Sequence, residues 1–80
     1  MDIKFNTQGT ILNGRHPEEK FVKILDDKEN TGGFIILLSE SGNFSFPHCY
    51  DVWVEDLESL QQYLQEVAWV INWAQEKIKG

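Results

Sequence analysis

Through "KFVKILDD" (20–27) and "GFIILLSE" (33–40), apolar residues fall on both parities of an extended chain. In the first segment Phe21, Lys23 and Leu25 share one side, and Val22 and Ile24 share the other. A strand apolar on both sides belongs in the interior of a sheet. Between the two, "DKENTGG" supplies the Asn, Thr and glycines of a hairpin connection. Ahead of them "GTILNG" (9–14) reads as a short strand between turns, "MDIKF" as a short edge strand or a loose end, and "RHPEEK" as a polar loop. Behind them "SGN" turns the chain, and "FSF" (44–46) alternates as a further short strand ending at Pro47. The pattern predicts a meander of three or more antiparallel strands.

At Asp56 the period changes. Leu57, Leu60, Leu64, Val67, Ile71, Ala74 and Ile78 recur at spacings of three and four, the stripe of an amphipathic helix. Asp56 is suited to the N-cap and Glu58 to the first turn, while Lys77, Lys79 and Gly80 suit a helix end. "VAWVINW" (67–73) also alternates as a strand, with Val67, Trp69, Ile71 and Trp73 on one side. Carried on as a helix, it would put Trp69 and Trp73 about 120–160° from Leu57, an exposure that two tryptophans rarely have without cover. The helical pattern is uncontested to Glu66, and the two patterns compete beyond it. The expected fold is a single α+β domain over 1–80: a small antiparallel sheet of three to five strands packed against a C-terminal helix.

Composition narrows the class of function. With 41% hydrophobic and 25% charged residues, the 80-residue chain belongs with folded globular domains. Thirteen acids against seven Lys and Arg give a net charge of −6. That balance disfavours nucleic acid, whose phosphates need a basic face, and equally an anionic membrane surface. One cysteine forms no internal disulfide, and "MDIKFNTQGT" lacks the pattern of a secretory leader. The longest strongly apolar run, "FIILL" (34–38), is far short of a bilayer span. A cytoplasmic location is expected.

The stretch "FPHCYDVWVED" (46–56) is the densest in reactive side chains. Cys49 with His48 or His16 and Asp51 offers the residue types of a thiol nucleophile, a base and an orienting group. Neighbours on a strand point to opposite faces, however, so His48 and Cys49 diverge, and no cation stands by to stabilise a thiolate. A small structural cysteine accounts for the residue. One cysteine and two histidines fall short of a structural zinc set, and "DDKENTGG" lacks the ligand spacing of a calcium loop. "TGG" and "NGR" lack the lysine of a phosphate loop and the dinucleotide fingerprint. The sequence therefore predicts no enzyme activity, no metal and no cofactor.

A different chemistry remains. From Asp51 to Glu66 the chain carries Asp51, Glu55, Asp56, Glu58 and Glu66 and no Lys or Arg. If 51–55 is extended, Val52 and Val54 face inward while Asp51, Trp53 and Glu55 face outward. An aromatic anchor among carboxylates suits a basic protein surface, because the indole supplies buried area and the acids steer association. The competing reading is a core tryptophan beneath the helix, with acids serving the helix terminus and solubility.

At "TGGFIILLSESG … YDVWVEDLESLQQYLQE … WVINW", about residues 31 to 73, the chain resembles small immunity proteins of bacterial toxin–immunity loci. The likeness is one of layout: an apolar strand, an aspartate–tryptophan strand end, a helix, then a tryptophan-bearing tail. It implies a short, acidic, cytosolic α+β protein that binds and blocks a toxin. The expected function is thus a non-enzymatic protein-binding module with partner-binding residues Asp51, Trp53, Glu55, Asp56, Glu58, Trp69 and Trp73. The alternative is a structural or regulatory subunit that self-associates or docks through its tryptophan-bearing C-terminal segment.

Overall fold

Val22, Ile24 and Ile36 are fully buried, and each lies on a strand whose alternate residues point to one side of a single sheet. The computed structural model describes residues 3–45 and 47–73. Its elements are β1 (Gln8–Ile11), β2 (Phe21–Asp27), β3 (Gly33–Ser39), β4 (Tyr50–Val54), α1 (Leu57–Val67) and β5 (Ile71–Trp73). The five strands form one antiparallel sheet in the order β4-β3-β2-β1-β5, so the fold is α+β. The predicted meander is β1 to β4. The helix then carries the chain across the sheet, and β5 pairs with β1 at the far edge.

Register assigns the two faces. Val22 pairs with Leu38, Ile24 with Ile36, Ile36 with Val52 and Phe34 with Val54, which puts these side chains on the helix side. There they form the core with Ile11, Leu60, Leu64 and Trp69. Phe5 stacks on Phe34 with ring centroids 5.5 Å apart, and a parallel bridge ties Phe5 to Ile24. Within the described residues of the N-terminal segment, 3–5, Phe5 is thus tied to the sheet by a single bridge rather than by a strand.

The helix begins as its sequence dictates. Asp56 is extended, and its carboxylate accepts from the Ser59 N–H at 2.8 Å, capping the first turn. The helix ends at Val67, and of the two patterns that compete beyond Glu66 the strand is the one taken up at Ile71–Trp73. Ala68 takes a left-handed backbone (φ 54°), and its N–H still donates to the Leu64 carbonyl at 3.1 Å. Asn13 then clamps the exit: its Nδ2 donates to the Ala68 carbonyl at 3.0 Å, and its Oδ1 accepts from Val70 N–H at 2.7 Å. Trp69, 4% exposed, enters the core, and Ile71–Trp73 join the sheet. Burial of an indole and a strand's worth of pairing outweigh the helical period. The expected positions of Ala74, Lys77, Ile78, Lys79 and Gly80 lie outside the described residues.

The strand expected at 44–46 is also corrected. Phe44 and Ser45 are not in a strand, Phe46 lies outside the described residues, and β4 starts only at Tyr50. Local bonds hold this loop instead: Asn43 Oδ1 accepts from Ser45 N–H at 3.0 Å, and His48 N–H donates to the Ser45 carbonyl at 2.7 Å. Buried Ser39 fastens the loop to the sheet, its hydroxyl donating to the His48 carbonyl and accepting from Gly42 N–H, both at 3.1 Å.

Candidate functional site: the outer strand and its open face

In β4, exposure alternates with position. Asp51 and Trp53 are exposed, Val52 and Val54 are half-buried against the core, and Glu55 beyond the strand is exposed again. Asp51 pairs with Leu37 and Trp53 with Ile35, so both lie on the face opposite the helix. That face continues through Leu25 to give a lateral row Leu25–Ile35–Trp53 across three strands. Leu25, Ile35 and Leu37 are half-buried there.

Trp53 is 51% exposed and yet fixed. Its indole Nε1 donates to Thr31 Oγ1, in the β2–β3 turn, at 2.9 Å. The ring lies over Gly33: a Cβ added to that glycine would stand 2.9 Å from two indole carbons. The turn is itself stapled, with Thr31 N–H donating to the Asp27 carbonyl at 2.9 Å and Gly32 at φ 86°. An exposed indole held by a hydrogen bond and a packing contact loses little freedom when a partner covers it.

The other predicted residues go elsewhere. The Asp56 carboxylate is engaged at the cap, and acceptance of the Ser59 N–H holds its pKa below the ordinary 3.8. Glu58 is exposed on the first helical turn, beside the strand end. Trp69 belongs to the core: its ring meets Tyr63 edge-on at 6.0 Å, and its Nε1 donates to Glu19 Oε1 at 3.3 Å. Trp73 is half-buried over Gly9 on β5. Four strand spacings of about 4.8 Å each separate β5 from β4, so the Trp69/Trp73 pair and Trp53 do not share a surface. The structure therefore puts Asp51 and Trp53 on one face, with Glu55 exposed just beyond the strand end and Glu58 exposed in the first helical turn that follows.

Two apolar residues of this region are exposed although neither is among the expected site residues, and the sequence places Leu57 only in the helical stripe. Tyr50 is 63% exposed and Leu57 46% exposed, at the start of β4 and of the helix. Tyr50 pairs with Leu38 and so lies on the helix side of the strand. The alternation read over 51–55 stops one residue short of Tyr50, which stands exposed at the start of the strand.

The reactive side chains do not converge. Cys49 is half-buried with its Sγ donating to the Phe44 carbonyl at 3.4 Å, while His48 and His16 are exposed on separate loops. Shallow depressions of about 320, 270 and 460 Å³ are lined respectively by Ile3 and Leu64, by His16, Glu19 and Trp69, and by Glu40, His48 and Tyr50. Among the described residues no three His, Cys, Asp or Glu side chains form a metal-holding group. Compared with known families, characterised proteins and solved structures, the chain finds no match, and its chemistry is read from its own residues.

Proposed function

We propose that this protein is a non-enzymatic binding module, an immunity-type inhibitor that occludes a basic toxin or effector surface with the face built on β4. The observation that carries the reading is Trp53: half-exposed, tied to Thr31, and flanked by the exposed carboxylates of Asp51 and Glu55. The net charge of −6 accelerates encounter with a basic surface, and burial of the indole slows dissociation.

The test uses three chains in binding assays with proteins captured from the native host: wild type, Asp51→Lys/Glu55→Lys and Trp53→Ala. Asp56 is left intact because it caps the helix. A basic partner bound one to one, weakened by salt and by the double charge reversal and shed faster from Trp53→Ala, supports the reading. A partner held equally by all three folded chains at high salt rejects it.

A second reading, self-association near the C-terminal segment, draws support from a separate patch. Leu12 (63% exposed) and Val70 (53% exposed) adjoin, with Leu12 N–H donating to the Val70 carbonyl at 2.8 Å. A dimer in sedimentation that is abolished by Leu12→Lys, and is indifferent to salt, would favour it.

A further inference from the structure

We infer that β4 is a docking edge, and that the partner lays an extended segment along it as a sixth strand with alternating basic and apolar side chains. This inference rests on the binding-module reading and specifies how the partner is held. β4 is the terminal strand of the sheet, pairing with β3 on one side only. Among the described residues, no other backbone hydrogen bond reaches Tyr50–Val54 from outside that pairing. Such an edge offers unsatisfied N–H and C=O groups to an incoming strand.

Side chains on the two sides of the edge specify what that strand carries. Towards the open face stand Asp51 and Trp53, with Glu55 exposed just beyond the strand end; towards the helix stand Tyr50, Val52 and Val54, with Leu57 exposed at the adjoining helix start. Tyr50, Trp53 and Leu57 are three of the five large apolar side chains most exposed among the described residues, and all three lie within this stretch. A strand placed here brings its own side chains about 4.5–5.5 Å from those of β4. Lys or Arg on its open-face side meets Asp51 and Glu55. Val, Ile or Leu on its other side covers Tyr50, Val52 and Leu57. The required segment therefore alternates basic and apolar.

Charge also decides between a foreign strand and a second copy. An antiparallel pair of β4 strands centred on Trp53 sets Asp51 of each copy opposite Glu55 of the other. Like charges directly opposite destabilise such a pair, and two chains of −6 repel as they approach. The same carboxylates that deter self-pairing attract a basic strand. At the far edge the described residues of β5, Ile71–Trp73, carry no carboxylate.

The test uses three synthetic peptides with the intact protein: one alternating Lys/Arg with Val/Ile, one of the same composition without alternation, and one alternating but N-methylated at every second residue on its pairing edge. Amide hydrogen exchange of Tyr50–Val54 is followed by NMR. The alternating peptide should slow exchange at the outward amides of β4 by about tenfold or more at saturation. The scrambled and N-methylated peptides should bind at least about tenfold more weakly, as should the alternating peptide to Asp51→Lys/Glu55→Lys. Equal binding of the N-methylated peptide would overturn strand addition while leaving the acidic, aromatic face standing. Protection confined to β5, or none at β4 with millimolar peptide, would also overturn it. The capture experiment above then judges the binding-module reading on its own.

Discussion

Trp69 and Glu19, fifty positions apart, meet at 3.3 Å, with the indole Nε1 donating to the carboxylate Oε1. Glu19 also accepts from the Arg15 N–H at 2.9 Å, so one side chain closes its own loop and anchors the segment that leaves the helix. The Arg15 bond is the main reason that its carboxyl titrates below the ordinary 4.5; burial opposes the shift, and the Trp69 and His16 contacts add to it. A depressed carboxyl pKa contributes stability that is full above the unfolded value and lost as pH falls through the folded one. Wild type should therefore exceed Glu19→Gln in urea midpoint at neutral pH. The gap should close as pH falls below the ordinary 4.5 and through the depressed folded value. A gap independent of pH would show that the carboxylate charge contributes nothing.

Ala68 closes the helix at φ 54°, a conformation in which its Cβ is crowded. Ala68→Gly removes that crowding and should stabilise the fold by about 0.5–1 kcal/mol, although glycine also frees the unfolded chain. Thermal denaturation of the two proteins measures the difference. A loss of stability would mean that the methyl group packs usefully at this corner.

The Asp56 cap acts at the junction between β4 and the helix. Asp56→Ala should lower the melting temperature, and Asp56→Asn should recover most of the loss because the amide oxygen can still accept from Ser59. The Asp–Asn difference should vanish in acid, since the lowered folded pKa contributes stability that is full above the ordinary value near 3.8 and is lost as pH falls through the folded one. Melts in parallel at neutral and acid pH give the comparison.

Leu57 and Leu60 stand on the same sequence stripe but in different surroundings, 46% and 0% exposed. Leu60→Ala should cost about 2–5 kcal/mol, a large share of the roughly 4–12 kcal/mol that a chain of this size holds. Leu57→Ala should cost less than about 1 kcal/mol. Chemical denaturation separates them, and equal costs would contradict the packing described.

Thr31→Ala removes the acceptor for Trp53. The expected loss of stability is modest, about 0.5–1.5 kcal/mol, but the indole should become more mobile. Lower fluorescence anisotropy, read as the difference between chains with Trp53 and with Trp53→Phe, would show it. Unchanged anisotropy would place the restraint in the Gly33 contact alone.

Much of this architecture was legible because local rules and tertiary packing agree. Asn, Thr and Gly at 30–33 made the β2–β3 turn plain, Asp56 marked the helix start, and the alternation from Asp51 to Glu55 gave the outward set. The helix end was less legible because no Gly or Pro stands in the residues directly after Val67; Asn13, distant in sequence, clamps the exit. Residues 44–46 look like a strand only until Asn43 and Ser45 are seen bonding to the local backbone. The open face had a signal of another kind. Two strands apolar on both sides, in a chain with one convincing helix, leave one sheet face without a helix to cover it. Trp69 and Trp73 could be sorted from Trp53 only in the structure, because a tryptophan's exposure depends on where its strand lands, which composition does not encode.

The pairing of β5 with β1 also orders events in time. During synthesis β1 to β4 can form a meander while the segment that pairs with the outer edge of β1 has yet to emerge, and the core still lacks Trp69. The nascent sheet then has two open edges, a state prone to pairing with other chains. Contact between Ile11 and Ile71 closes most of the described chain into one loop, so completion of folding waits on a slow, long-range step. Ribosome-bound chains, tethered by a C-terminal linker, in which Val67 but not Trp69 has cleared the exit tunnel should thus be more protease-sensitive and more prone to aggregate than chains in which Trp73 has cleared it.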